Sequence, residues 1–405
     1  MHRQSAPARS QSLLSRPERI IAVYRGWEVF ECTHGGPRII DFDLTTLNDT
    51  ATFNSRTEIL SALTDLHGQL TDTSDEGEFL RDKLLGSIFY LRALLGEVIP
   101  FAEYVRYTLG TTVSRFPDRE LNVVEGIVNE LLSSFGVQLK AEYKEEFETK
   151  LTIHDPEEIK RGITDNQEFW LARLREKGIP TPDRLDLQVE FVKIDAYWSN
   201  WISGSVSKGF TLRINVHPRK KYELGRPLVL CLHEICGHAV QMTLWQDLIA
   251  QGLLNPACGL TTVHSPEAFI CEGLGQTVAD FLGDESDFPI EFWLSRWLQY
   301  YTLMVLHNAH LMIYEGAPME EIFHYAQSKL PFSSHFAIEA ELRDRGTSPL
   351  FRTYQLSYAA GEHMIKSLTL GYTPKQKQQF FFEIYSRPMT PKQVQDLARQ
   401  ISSRP

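Results

Sequence analysis

The chain has 405 residues, of which 42% are hydrophobic and 11% are aromatic. This composition supports a sizeable buried core and excludes a mostly disordered chain. The 52 acidic residues outnumber the 41 basic ones, so the formal net charge is −11. An acidic surface repels phosphate, which disfavours nucleic acid and anionic lipid as partners. No apolar run reaches the ~18–20 residues of a membrane-spanning helix, so no membrane partner is expected.

The N-terminal segment 1–19 is rich in Arg and Ser and has no apolar stretch. It therefore differs from a secretory signal, and we interpret it as a disordered tail, with a transit peptide as the alternative. The cysteines are too few for a disulfide scaffold, and their number is odd: Cys32, Cys231, Cys236, Cys258 and Cys271. This cysteine usage is typical of a reducing compartment, so we predict a cytoplasmic protein.

Apolar residues recur at a spacing of three to four along much of the first half of the chain, which predicts amphipathic helices. The segments with this pattern are Thr57–Leu70, Glu78–Ile99, Leu121–Phe135 and Pro156–Lys177. The last of them follows Asp155, and an N-cap residue followed by Pro and carboxylates is typical of a helix start. We therefore expect a helical N-terminal region over residues 20–180.

The pattern changes after residue 180. Leu187–Val192 and Phe210–Val216 alternate apolar and polar residues, which predicts strands with one buried face. The intervening Asp195–Gly209 is rich in Trp, Ser and Gly, and predicts a loop or a loose hairpin connection. Helical patterns resume at Arg226. We predict a mainly α protein with a small antiparallel sheet, in which residues 181–405 carry the functional site and form one cleft with the N-terminal half.

The most informative segment is His233-Glu234-Ile-Cys-Gly237-His238, preceded by apolar residues. A helix with this combination is typical of zinc hydrolases. Two imidazoles on one helix face can bind one tetrahedral zinc ion, and a neighbouring carboxylate can act on water without binding the metal. We therefore predict one zinc ion per chain, with His233 and His238 as ligands and Glu234 as the general base.

The two histidines are five residues apart, whereas a regular helix aligns residues that are four apart. On a regular α-helix, residues five apart point about 140° away from each other, so both could not face one metal ion. A π-helical turn, whose hydrogen bonds join residues five apart, would realign them. We therefore predict an irregular helix at Ile235–Gly237, with Gly237 making the distortion sterically easy.

Glu272 follows in another predicted helix among apolar neighbours, and we predict it as the third ligand of a two-His, one-Glu site. A solvated glutamate near a helix start is the alternative. Cys231, Cys236 and Cys271 flank the predicted ligands, so a structural Cys/His zinc site is a further alternative. On a helix Cys231 would point about 200° away from His233, which favours buried free thiols instead.

These residues together resemble the gluzincin metallopeptidases. They resemble more closely the bacterial domain-of-unknown-function family 885, whose signature is His-Glu-x-x-Pro-Gly-His. The resemblance covers about residues 187–368 and rests on the strand Gly209–Asn215, the motif His233–His238 with Gln241, Glu272-Gly273, His310, and Gln355-Leu-Ser-Tyr358-Ala-Ala-Gly361-Glu362. The chain departs from the family by lacking the Pro between the histidines and by having Leu274 where Trp is usual. In its histidine spacing it is similar to dipeptidyl-peptidase III and the tubulin tyrosine carboxypeptidases.

The resemblance implies a helical, gluzincin-like metallohydrolase and the same roles for the metal ligands and Glu234. It also implies that Tyr358 stabilises the oxyanion that forms during amide hydrolysis. Tyr354, four residues earlier, is the competitor for this role and otherwise a predicted substrate contact. His310 is a candidate second donor and His307 a weaker one, with a structural histidine as the alternative for both.

The predicted strand Phe210–Val216 has its own candidate residues. Its polar face presents Thr211, Arg213 and Asn215. A strand beside a zinc helix can pair with an extended peptide, and an arginine on it can bind a substrate carboxylate. Arg213 and Asn215 are therefore predicted substrate contacts, with a solvated surface arginine as the alternative.

The predicted function is that of a zinc-dependent hydrolase that cleaves the amide bond of a peptide. One alternative is a zinc enzyme of the same scaffold that acts on a small amide or another substrate in a biosynthetic pathway. Another is a non-catalytic binding protein that has kept the motif. The sequence does not specify the scissile bond, the exopeptidase or endopeptidase mode, or the oligomeric state.

Overall fold

The computed structural model describes residues 15–47, 49–196 and 198–403, which form a mainly helical fold with one small sheet. The elements up to the end of the sheet are α1 (Arg16–Thr33), α2 (Arg56–Gln69), α3 (Asp75–Leu94), α4 (Phe101–Thr108), α5 (Asp118–Ser133), α6 (Lys144–Leu151), α7 (Pro156–Thr164), α8 (Gln167–Glu176), β1 (Leu187–Val192), β2 (Asn200–Ser205) and β3 (Gly209–Asn215). The predicted fold class, mainly α with a small sheet, is confirmed.

After the sheet the described chain is helical almost throughout. One continuous helix consists of α9 (Arg226–Leu230), a π-helix (Cys231–Ala239) and α10 (Val240–Ala250). It is followed by α11 (Pro266–Leu282), α12 (Ile290–Tyr314), α13 (Met319–Lys329), α14 (His335–Thr347), α15 (Phe351–Tyr354), α16 (Leu356–Thr369), α17 (Pro374–Ser386) and α18 (Pro391–Ser402). Among the described residues, each helix is too short or too polar to span a lipid bilayer.

The sheet is mixed, whereas the sequence predicted an antiparallel one. Its strand order is β1-β3-β2, with β1 parallel to β3 and β2 antiparallel to it. The strand β2 lies inside the segment predicted as a loop or a loose hairpin connection, and it forms an antiparallel hairpin with β3. The pairing extends from Asn200 opposite Ile214 to Ser205 opposite Gly209. Since β3 is central, neither of its edges is free for another strand. The free edge closest to the π-helix belongs to β2.

The predicted helices Glu78–Ile99 and Leu121–Phe135 begin and end two to five residues earlier in the structure, as α3 and α5. Two other helical predictions differ more. The helix α1 begins at Arg16, inside the predicted tail, while residues 1–14 lie outside the described residues. The predicted helix Pro156–Lys177 is two helices, because the Asn166 side chain donates to the Gly162 carbonyl at 2.6 Å and competes with the helical ladder. The predicted cap is confirmed, since the Asp155 carboxylate accepts from the Glu157 backbone N–H at 3.0 Å.

The main hydrophobic core combines side chains from both halves of the chain, including Trp27 of α1, Trp245 of α10 and Ile401 of α18. A second cluster surrounds α12 with side chains of α5, α13 and α14. A buried ion pair between Lys83 and Glu267 joins α3 to α11. The two predicted regions therefore share one core.

Glycines at the crossing points allow the helices around the site to pack with their backbones in direct contact. A Cβ atom on Gly237 of the π-helix would lie 2.9 Å from the Cα atom of Gly275 in α11. A Cβ atom on Gly273 would lie 2.8 Å from the carbonyl of Gly361 in α16. The helix α11 is thus held tightly between the π-helix and α16, which determines where Glu272 lies.

Candidate metal centre

The helix that carries the two predicted histidine ligands is irregular, as the spacing predicted. Nine residues, Cys231–Ala239, form a π-helix within an otherwise α-helical segment. In this conformation residues five apart align, and the Nε2 atoms of His233 and His238 lie 3.1 Å apart. Both side chains are buried, with 8% of each residue exposed. The prediction of a distorted helix at Ile235–Gly237 is therefore confirmed.

The role predicted for Gly237 differs from the one in the structure. Gly237 is not among the glycines with positive φ, so it does not supply an unusual backbone conformation. Its missing side chain instead makes room for Gly275 of α11. Gly275 has a second effect, because a Cβ atom there would lie 2.7 Å from Nδ1 of His233. The two glycines let α11 approach the histidines closely.

Glu272 of α11 completes a three-residue cluster. Its Oε2 atom lies 3.3 Å from Nε2 of His233 and 3.7 Å from Nε2 of His238. A tetrahedral zinc ion with bonds of about 2.0–2.1 Å holds its ligand atoms about 3.3 Å apart. Oε2 of Glu272 is also buried without a hydrogen-bond partner among the described residues. The donor set, the separations and this unsatisfied oxygen all fit a bound zinc ion.

The charges of the cluster favour a cation between the three side chains. Burial raises the pKa of the Glu272 carboxyl, but the imidazoles of His233 and His238 outweigh this effect and hold the pKa well below its usual range. Burial lowers the pKa of His238, but contact with the Glu272 carboxylate outweighs it and raises the pKa to about 9. The buried carboxylate therefore stays ionised and attracts positive charge to this point.

Glu234 is adjacent to the cluster without being part of it. Its Oε1 atom lies 3.9 Å from Nε2 of His233 and accepts a hydrogen bond of 2.5 Å from the side-chain amide of Asn200. The carboxylate thus faces the space beside the ligand atoms, where a general base would stand. Asn200 was not predicted, because it lies on β2, in a segment that the sequence indicated as a loop or a loose hairpin connection without a strand of its own.

The two candidate tyrosines contact different groups. The Tyr354 hydroxyl donates to Oε1 of Glu272 at 2.6 Å, and the hydroxyls of Tyr354 and Tyr358 are 2.9 Å apart. Burial, together with the nearby Glu272 carboxylate, raises the pKa of Tyr354 well above its usual value, so this phenol remains a donor. The Tyr358 ring lies 6.4 Å from the His233 ring, centroid to centroid. Tyr354 thus positions a predicted ligand, while Tyr358 lines the cavity beside the cluster.

The structure does not bring His310 or His307 to the cavity wall. His310 is fully buried on α12, and its Nδ1 atom lies 3.3 Å from Nη1 of Arg345. Burial and the Arg345 charge hold the pKa of His310 well below its usual range, so it is neutral. His307 contacts the Ser114 carbonyl, 3.0 Å from its Nε2 atom. His310 therefore supports Arg345, and its predicted role as an oxyanion donor is not supported by its position.

The predicted substrate contacts on β3 also lie away from the cavity. Arg213 pairs with Glu190 of β1 at 3.0 Å, donates to Ser203, and does not line the cavity. Asn215 is fully buried, and its side chain bonds to backbone groups of Ile194, Trp198 and His217. Asn215 therefore fixes the chain segment that leads into β2.

A cavity of about 340 Å³ opens at the cluster. It is lined by the three predicted ligands, Glu234, both tyrosines and several residues that the sequence did not single out: Asp41, Trp198, Asn200, Lys221, Arg226 and Arg345. These residues come from distant parts of the chain, so no local pattern links them to the motif. The volume is at the lower end for ligand pockets.

The cysteines do not form a metal site. All five thiols are free, and among the described residues the His/Cys/Asp/Glu cluster that could hold a metal ion consists of His233, His238 and Glu272. Burial raises the pKa of Cys236 and Cys271 well above the usual value, which keeps these thiols protonated. The alternative of a Cys/His zinc site is therefore not supported.

Comparison with known proteins identifies a shared fold only. No protein-family model and no curated protein matches the sequence. A solved structure of a candidate lipoprotein from Colwellia psychrerythraea aligns with a TM-score of 0.57 at 14% identity, over 85% of this chain and 67% of that chain. Another, a candidate lipoprotein of unknown function from Shewanella oneidensis, aligns with a TM-score of 0.48 at 16% identity, over 84% and 71% of the two chains. The first likeness extends over most of the described fold and carries no information about activity.

Proposed function

We propose that the protein is a gluzincin-type zinc hydrolase that cleaves a peptide amide bond. The observation that carries the proposal is the convergence of His233, His238 and Glu272, whose ligand atoms all lie within 4.8 Å of one another. When bound, zinc polarises a carbonyl group and lowers the pKa of a water molecule. Buried His and Glu donors around an unsatisfied carboxylate oxygen suit this metal.

The residues beside the cluster supply the remaining groups for hydrolysis. Glu234 accepts a proton from the attacking water and transfers it to the leaving amine. The hydrogen bond from Asn200 holds this carboxylate beside the ligand atoms, 3.9 Å from Nε2 of His233. The Tyr358 hydroxyl donates to the oxyanion that forms at the attacked carbonyl.

A peptide substrate is favoured by the strand that borders the cavity. Residues 198 to 202, which lead into β2 and include its first three residues, line the cavity. Among the described residues β2 pairs only with β3, so its other edge is free. A free strand edge offers backbone donors and acceptors to an extended peptide. The sequence suggested β3 for this contact, and β2 is the strand that can make it. The free thiols are also compatible with the proposed cytoplasmic location.

Metal analysis and kinetics test the proposal together. His233→Ala, His238→Ala and Glu272→Ala should each reduce zinc from one ion per chain to a small fraction. Glu234→Gln should keep the zinc and lose turnover of a peptide library by about 10²–10⁴-fold, because an amide cannot accept the water proton. His154→Ala, at an exposed histidine, serves as the matched control. Full zinc content in any two of the ligand variants would contradict the proposal, as would undiminished turnover in Glu234→Gln.

A further inference from the structure

The cavity beside the metal cluster carries opposite charges on different parts of its wall. The carboxylates close to the ligand atoms are Asp41, Glu234 and Glu272, since the charge of each raises the pKa of His238. Lys221, Arg226 and Arg345 line the same cavity, where Glu223 and Glu341 partly balance them. Glu267 also lines the cavity, but the buried Lys83 neutralises it. Apart from the carboxylates around the ligand atoms, three cations therefore face two unneutralised anions, which leaves a net positive charge. A substrate with a negative end would therefore lie with that end away from Glu234.

Arg345 is a buried cation with unused hydrogen-bonding capacity. Only 1% of the residue is exposed, and its guanidinium contacts Nδ1 of neutral His310, Glu341 at 3.2 Å and Gln355 at 3.4 Å. Its Nε atom is buried without a partner among the described residues. A buried guanidinium with an unused N–H group is costly unless a further acceptor reaches it. A carboxylate is the acceptor that best matches guanidinium geometry.

Arg226 adds a second cation to the same part of the wall. It is half-buried, and no ion pair or side-chain hydrogen bond engages it among the residues that the structure describes. Its positive charge helps to lower the pKa of Lys220 to about 8, after the larger effect of burial. An unpaired arginine beside a ligand cavity is available to bind a carboxylate.

The helix itself indicates how far this cation lies from the metal. Arg226 is seven residues before His233 in one continuous helix. At about 1.5 Å per residue the two Cα atoms are roughly 10 Å apart along the axis. An extended peptide advances about 3.3–3.6 Å per residue, so a carboxylate on Arg226 lies within about three residues of the scissile bond.

We infer that Arg226 and Arg345 form a carboxylate subsite, and that the substrates are peptides held by their free C-terminal carboxylate. The enzyme would then be a carboxypeptidase that removes a short C-terminal fragment. This inference rests on the proposed function for its reaction, but the subsite itself can be tested by binding alone. An acidic side chain near the scissile bond offers the same chemistry and is the other source of the carboxylate.

The binding test uses the zinc-loaded Glu234→Gln protein, which keeps its ligands and does not turn over substrate. The probes are N-acetylated tetrapeptide libraries, randomised over neutral residues, with either a free C-terminal carboxylate or a C-terminal amide. Isothermal titration should give roughly 10- to 100-fold tighter binding of the free acids, as expected for charge-assisted hydrogen bonds. In the double variant Glu234→Gln/Arg226→Gln this ratio should fall by about 10-fold, because Arg345 is then the one guanidinium left in the subsite. Arg173→Gln, at a surface arginine paired with Glu176, is the matched control and should keep the ratio.

Each other outcome overturns a stated part of the inference. Equal binding of acids and amides, or no binding of either, rules out the subsite. A ratio that survives Arg226→Gln rules out Arg226 as its carboxylate-binding residue. A third library, amides with a C-terminal Glu residue, separates the two sources, because tight binding of these peptides would assign the subsite to an acidic side chain. If the free acids bind selectively and the wild-type protein hydrolyses none of them, the proposed peptidase function fails while the subsite stands.

Discussion

At the scale of single residues, Tyr354 and Tyr358 are one helical turn apart and make different contacts. Both line the cavity, and Tyr354 also donates to the proposed ligand Glu272 at 2.6 Å. Tyr354→Phe should weaken zinc binding by about 10- to 100-fold, as removal of a partner of a metal ligand does. Tyr358→Phe should leave zinc affinity unchanged and lower kcat by roughly 10²-fold, because its hydroxyl acts on charge that develops in the transition state.

Competition with a fluorescent zinc chelator measures the affinities, and steady-state kinetics measures kcat at saturating zinc. Tyr143→Phe, at a partly buried tyrosine that packs against the second hydrophobic cluster and does not line the cavity, is a matched control and should change neither quantity. If Tyr358→Phe is silent while Tyr354→Phe abolishes kcat at full zinc occupancy, the oxyanion donor is Tyr354.

The sequence predicted the site residues that lie in recognisable motifs, including Glu272 and Tyr358, which are far from the two histidines along the chain. The five-residue spacing of His233 and His238 required a π-turn, because a regular helix would point the two rings apart. Asn200 and Arg345 could not be predicted in this way. Their relation to the cluster depends on the pairing of β2 with β3 and on the packing of α14, and neither leaves a local pattern.

At the scale of helices, the crossing of the π-helix and α11 depends on residues that have no side chain. A Cβ atom on Gly275 would lie 2.7 Å from Nδ1 of His233, which is closer than a Cβ atom approaches a non-bonded atom. Gly275→Ala should therefore displace the ring or separate the helices. We expect zinc affinity to fall at least 10-fold and the free energy of unfolding to decrease by about 1–3 kcal/mol, as overpacked cores do.

An exposed helical glycine provides the opposite expectation. A Cβ atom added to Gly126 of α5 would meet no neighbouring side chain within 4 Å. Gly126 is also not among the glycines with positive φ. Gly126→Ala should stabilise the protein by about 0.5–1 kcal/mol through helix propensity and leave zinc affinity unchanged. Urea unfolding of the two variants compares the effects. Stabilisation of the protein by Gly275→Ala with unchanged zinc affinity would contradict the close crossing.

The accuracy of the element predictions depended on how much of each pattern is local. The helix α2 was predicted to within one residue, because its buried Ile59, Leu63 and Leu66 follow helical spacing. The strand β2, with the sequence Asn-Trp-Ile-Ser-Gly-Ser, has low intrinsic strand preference, and its conformation depends on its partner β3. The helix α1 was missed because five consecutive residues, Ile20–Tyr24, are buried, and this run obscures the helical spacing of Ile20, Tyr24 and Trp27.

At the scale of the whole molecule, the N-terminal half is part of the support for the site. Glu267, one and a half turns before Glu272 on α11, is buried against Lys83 of α3. The ion pair is surrounded by a buried network in which Ser87 contacts both Tyr24 and His264. A buried charge left without its partner is strongly destabilising, so this contact fixes α3 against the helix that carries the proposed third ligand. Both halves therefore help to position the proposed metal centre.

Buried neutral histidines make the stability of the whole molecule depend on pH. Burial lowers the pKa of His307 to about 4, whereas a histidine in an unfolded chain titrates at about 6.5. As the pH falls, the unfolded state binds its proton first, so this contribution to stability is intact above about pH 6.5 and is lost down to about pH 4. Burial also holds the pKa values of His264 and His310 well below the usual range, so both act in the same direction.

The substitution His307→Gln isolates one part of this dependence. The Nε2 atom of His307 lies 3.0 Å from the Ser114 carbonyl oxygen, and a glutamine Nε2 atom can donate to the same acceptor without titrating. Between pH 7 and pH 4.5 the variant should lose roughly 2–3 kcal/mol less stability than the wild type, measured by urea unfolding at each pH. His154→Gln, at an exposed position, should follow the wild-type curve. Parallel curves for His307→Gln and the wild type would mean that His307 binds its proton equally well in the folded and unfolded states.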